Sequence, residues 1–98
     1  MPNSSPDLAA IEAAIQDVSA VRNISALHAL ERPDGALVIV TRVGLSPDLR
    51  LTQVVHAISD VEIAVRRAAE QVSAIFVEPD IAADAATPTE TIVIRALE

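Results

Sequence analysis

Val21-Arg22-Asn23-Ile24-Ser25-Ala26-Leu27-His28-Ala29-Leu30-Glu31-Arg32-Pro33-Asp34-Gly35-Ala36-Leu37-Val38-Ile39-Val40 is the stretch that decides the fold. Ile24, Ala26, His28 and Leu30 alternate with Asn23, Ser25, Leu27 and Ala29, a period of two that specifies a strand. Arg32-Pro33-Asp34-Gly35 is a turn, with proline and glycine where their backbone preferences are used. Ala36 to Leu45 reads as a second strand, and the short turn makes the pair an antiparallel hairpin. The run Leu37-Val38-Ile39-Val40 predicts a central strand covered on at least part of both faces.

Working outward, Met1 to Ser5 is polar and is expected to be flexible. Ser5-Pro6-Asp7 has the order of a helix start: a capping serine, proline at the first position, and an acid for the dipole. Leu8, Ile11, Ile15 and Val18 follow at helical spacing, and the helix is expected to end near Ser19 or Ala20. Beyond the hairpin, Ser46-Pro47-Asp48 breaks the strand. A long helix is expected from about Leu51 to Glu70, with Leu51, Val54, Val55, Ile58, Val61, Val65 and Ala69 on its inner face. Arg66 and Arg67 suit its C-terminal end. Ser73 to Glu78 forms a third strand that Pro79 should stop. Residues 81–98 read as a flexible tail with a short strand at 91–96. The domain proper is therefore 6–80, in the order helix, strand, strand, helix, strand. This is an α+β, ferredoxin-like two-layer sandwich, a small mixed sheet with both helices on one face. Three strands leave edges and an uncovered face, so a homodimer is expected.

The chain has 98 residues, enough for one domain, and 51% of them are hydrophobic, enough to fold. Phe76 is the only aromatic, so 12 Val and 10 Ile, with Ala and Leu, must build the core. Fourteen acids face seven bases, all arginine, for a net charge of −7. That balance argues against phosphate-backbone binding, and one aromatic gives no stacking platform, so nucleic acid is excluded as a partner. Without cysteine there is no disulfide, thiolate metal site or cysteine nucleophile. The longest apolar run, Ala36 to Val40, is far below the roughly 20 residues of a membrane span, and no signal peptide is present. The chain thus reads as soluble and cytosolic. Neither a nucleophile elbow nor a phosphate-cradling loop can be built with only Gly35 and Gly44, and no acid/base pair of carboxylates stands out. An enzyme is not expected.

Several stretches carry a family resemblance. They are Ile24 to Leu30, Gly35 and the second strand, the helix segment Leu51-Thr52-Gln53-Val54-Val55-His56-Ala57-Ile58-Ser59-Asp60-Val61-Glu62, and Ile75-Phe76-Val77-Glu78-Pro79-Asp80. Together these resemble the cytoplasmic C-terminal domain of cation diffusion facilitator transporters, over about Pro6 to Ile81. The resemblance implies a regulatory and dimerisation domain that works as a homodimer on the cytoplasmic side of the membrane. In full-length context it would be attached to the transmembrane domain of a zinc-type efflux transporter. It also implies a divalent cation, Zn2+ or another, sensed at the dimer interface, with His28, His56 and Glu78 at ligand positions. Arg42 stands where metal-binding members tend to have histidine, and Val77 lies near another family histidine. Arg42 could pair with Glu78 and replace a metal bridge by a salt bridge. Two alternatives follow: a metal-independent dimerisation module, or a stand-alone small-molecule sensor of the same fold with a pocket at the dimer interface.

Overall fold

The computed structural model describes residues 8–82 and 90–95. The Ser5-Pro6-Asp7 helix start and most of the tail lie outside the described residues. Helix α1 spans Leu8–Gln16 and buries Ile11 and Ile15. It stops earlier than its apolar spacing predicts because the chain tightens into a turn. Val18 N–H donates to Ile15 C=O (3.0 Å) and Val21 N–H to Val18 C=O (2.9 Å), turning the chain directly into the sheet. Strand β1 follows at Val21–Glu31 and β2 at Leu37–Leu45, paired antiparallel. At their turn Gly35 adopts φ 89°, left-handed backbone that favours glycine, and Asp34 Oδ1 accepts from Ala36 N–H (3.0 Å).

Helix α2 spans Leu51–Ala68, with Gln53 Oε1 accepting from Arg50 N–H (2.8 Å) at its start. Strand β3, Val72–Ile81, returns parallel to β2, and β4, Glu90–Arg95, lies parallel to β1. The sheet order is β3-β2-β1-β4. The helices pack on one face, α1 against β1 and α2 against β3 and α1. This is the α-β-β-α-β sandwich expected from the sequence, with a fourth strand added at the β1 edge.

Four further details differ from the sequence reading. The expected alternation of β1 is broken by a bulge between Ile24 and Ala26. Ile24 is buried with Leu27 and Ala29, while Ala26, His28 and Leu30 turn to the other face. Strand β2 is central but covered on one side: Leu37, Ile39, Thr41 and Val43 are buried, while Val40 is 42% exposed. Strand β3 does not stop at Pro79, which pairs in register with Val43. As the sheet's edge, β3 can leave a position without an N–H donor on its outer side. Finally, the buried face of α2 is narrower than expected and shifted towards Ala57. Val61, Val65 and Ala69 are buried as expected and Val54 packs against the core, but Ala57 joins them while Leu51 and Val55 stand 78% and 55% exposed.

Candidate functional site

The sheet face opposite the helices is where the alternation of three strands places the candidate residues. Register gives it three cross-strand rows: Leu30, Val38 and Ala74; His28, Val40 and Phe76; Ala26, Arg42 and Glu78. The middle row is apolar at its centre and open, Phe76 being 60% exposed beside Val40. His28 is half-buried, with its Nε2 shielded from solvent. In the last row the guanidinium of Arg42 donates through both Nε and Nη2 to Glu78 Oε1, each at 3.2 Å. The pair is solvated, so its contribution is at most about 1 kcal/mol. Its effect on chemistry is larger, because it puts a cation beside the carboxylate that the resemblance places at a ligand position.

His28, His56 and Glu78 are not brought together. Histidine 28 and Glu78 share the open face but stand two strands and two residues apart, about 12 Å between backbones at ordinary sheet spacings. Ligand atoms of one zinc ion sit about 2.0–2.2 Å from it, so an ion shared by these two would have to stand over Val40 and Arg42, beside the guanidinium that already holds Glu78. His56 is exposed on α2, in the helical layer, on the stripe of Asp60, Ile63 and Arg67. Among the described residues no three His, Asp or Glu side chains are grouped to hold a metal ion. Within one chain the donor set therefore does not fit a cation.

Sequence reasoning missed Val40 and Phe76 as the centre of the surface. The signal was the alternation Ala74, Phe76, Glu78 in register with Val38, Val40, Arg42, legible only once the parallel pairing of β2 and β3 is known. A groove of about 490 Å3 lies elsewhere, between α1 and α2, lined by Val18, Ile63 and Ala64 with Asp17, Asp60 and Arg67. It belongs to the helical layer, not to the open sheet face. Among the described residues no helix is long and apolar enough to cross a membrane.

No protein-family model matches the sequence, and no curated protein matches it. Solved structures do match. The copper form of the MamM CTD superposes with a TM-score of 0.80 at 18% identity, covering 93% of this chain and 87% of that one. The manganese form of a variant of the same domain gives 0.75 at 18% identity, covering 90% and 99%. The cadmium form of another variant gives 0.71 at 18% identity, covering 78% and 93%. With the element order, the parallel β2–β3 pair and the one-sided helical layer described above, these superpositions show that this chain has the fold of the MamM CTD.

Proposed function

We propose that the chain is the regulatory and dimerisation domain of a divalent-cation efflux transporter of the cation diffusion facilitator type, attached to its transmembrane unit on the cytoplasmic side. The observation that supports it most is the open sheet face, with an apolar centre of Val40 and Phe76 flanked by His28 and the Arg42–Glu78 pair. A contiguous exposed apolar row on a small domain favours burial, and a two-fold axis lets the same face meet itself in a homodimer. Such a dimer regulates by biasing the angle between its protomers, a two-state element to which an attached transporter can be coupled. The role is non-catalytic.

The MamM CTD structures include copper, manganese and cadmium forms. For this chain a zinc-type cation would have to be held between two copies, because one copy does not assemble a site. His28 and Glu78 of both copies would face it, and His56 would stand outside. A second reading, a metal-independent dimer, is favoured by a specific observation: the Glu78 carboxylate is already engaged by Arg42. The test is zinc calorimetry slightly above neutral pH on the wild type and on the His28→Ala, Glu78→Gln double variant, with solution mass measured alongside. A dimer with saturable binding that the variant loses supports cation sensing. A dimer that binds no zinc leaves constitutive dimerisation. A monomer at high concentration, with and without zinc, overturns both readings.

A further inference from the structure

Strand β3 ends the sheet on one side, and its outer edge is open over a short window. Ala82 N–H donates to Leu45 C=O at 2.9 Å, so the even-numbered residues from Ala74 to Ala82 turn their backbone groups inward, towards β2. The odd-numbered residues Ile75, Val77, Pro79 and Ile81 turn theirs outward, where no described residue pairs with them. Two of these positions are already closed: Pro79 has no N–H, and Ile81 N–H donates to Asp80 Oδ1 at 2.8 Å. At the other end Ser73 is the extra residue of the register shift beside Leu37, and its hydroxyl donates to Leu37 C=O at 3.1 Å. That leaves Ile75 and Val77 with free outward donors, and Phe76 between them. Edge strands are commonly blunted by charge or proline, yet Ala74-Ile75-Phe76-Val77 carries neither and is rich in strand formers. Exposed apolar side chains flank the edge on both faces. Phe76 stands on the open face, and Leu51 and Val55 stand on the side of α2 turned away from the groove with α1.

Such a window is its own complement. In an antiparallel pair, outward residues opposite one another exchange two N–H···O=C bonds. A two-fold axis at Phe76 sets Ile75 of each copy opposite Val77 of the other, so all the free donors of the window are used. Resting on the metal-independent form of the homodimer proposed above, we infer that two copies join along their β3 edges, antiparallel about Phe76, into one continuous sheet with four strands from each. Pro79 then falls opposite Ser73 of the other copy, where the strand has bulged inward and no donor is needed. Phe76 meets its own copy at a non-hydrogen-bonded position, with about 4.5 Å between backbones, where side chains pack closest and an aromatic pair is favoured. Glu78 comes level with Ala74 of the other copy while Arg42 balances its charge, so no like charges meet. The two copies of His28 stand five strand spacings apart, about 24 Å, too far to hold one ion between them.

Amide exchange of the full chain, followed by NMR over a dilution series with solution mass alongside, reads the edge directly. In dilute monomer the Ile75 and Val77 amides should exchange fast. As the dimer fills they should slow by about tenfold or more, while Ile81, bonded to its own neighbour, keeps its rate. Val77→Pro removes one donor from each copy, at an outward position like that of Pro79, and should weaken the dimer about thirtyfold. Val77→Thr, which keeps the N–H, should leave it unchanged. Protection of both amides that follows dimer formation supports the edge. A dimer in which both still exchange fast overturns it and leaves homodimerisation standing. Protection already present in the monomer overturns it too, because another part of the chain then holds the edge. So does a folded Val77→Pro chain that dimerises as tightly as the wild type; if that variant does not fold, the wild-type exchange decides. A chain that stays monomeric at every concentration overturns both the edge and the homodimer.

Discussion

At the scale of single residues, Thr41 and Gly44 show how little freedom the centre of the sheet has. Thr41 is the one buried polar side chain among the described residues, and its Oγ1 donates to Ala26 C=O at 2.8 Å beside the β1 bulge. Thr41→Val keeps the shape and removes the donor, so the chain should lose about 1 kcal/mol, the net value of one such bond, in urea unfolding. Thr41→Ser, which keeps the hydroxyl, should recover the bond but lose a packed methyl group. Gly44 has a different reason to be small. A Cβ there would run into the Asn23 amide and come within 3.0 Å of Ala82 Cα. Gly44→Ala should therefore destabilise by about 1–3 kcal/mol, the usual cost of overpacking. Adding Asn23→Ala should return part of that loss, since it removes the nearer obstacle. Strictly additive effects in this double-mutant cycle would show that the two side chains do not compete for space.

At the scale of elements, α2 supplies a test of its own orientation. Val65 is buried and Leu51 and Val55 are exposed, although all three carry the same apolar pattern in sequence. Val65→Ser should cost more than 2 kcal/mol by the same measurement, whereas Leu51→Ser and Val55→Ser should each stay within about 0.5 kcal/mol. The difference marks what periodicity can and cannot say. Element order and the hairpin were legible because Pro33-Asp34-Gly35 and the change of period are local signals. The shift of the buried face of α2 was not, because alanines such as Ala57 are buried yet weigh little in an apolar count. The β1 bulge was hidden for a related reason: one extra residue shifts the phase of a strand without changing its composition. Pro79 misled because a strand-stopping proline and an edge-strand proline look alike until the sheet order is known. For the site, the Arg42–Glu78 pair followed from opposite charges and from the resemblance, which puts both residues at ligand positions. The separation of His56 from His28 did not, since a motif aligns residues along the chain and says nothing about the layer each one faces.

At the scale of the whole molecule the arrangement is one-sided: helices cover one face of the sheet and nothing among the described residues covers the other. An acidic domain of net charge −7 repels its own copies at long range, so association must come from local apolar contact. The middle row of the open face supplies it, and Phe76, the largest apolar side chain there, is exposed beside Val40. Phe76→Glu should therefore abolish the proposed dimer. It removes the principal apolar surface and sets two like charges near a two-fold axis, while touching no buried residue. Light scattering should read one chain mass instead of two, with an unchanged far-UV circular dichroism spectrum and an unchanged urea midpoint when both are compared as monomers. Arg42→Glu supplies the complementary case. It breaks the pair with Glu78 and adds negative charge at the rim, where solvent and salt screen it, so the dimer should weaken at low salt and recover as ionic strength rises. A Phe76→Glu chain that remains dimeric would place the interface away from the open sheet face.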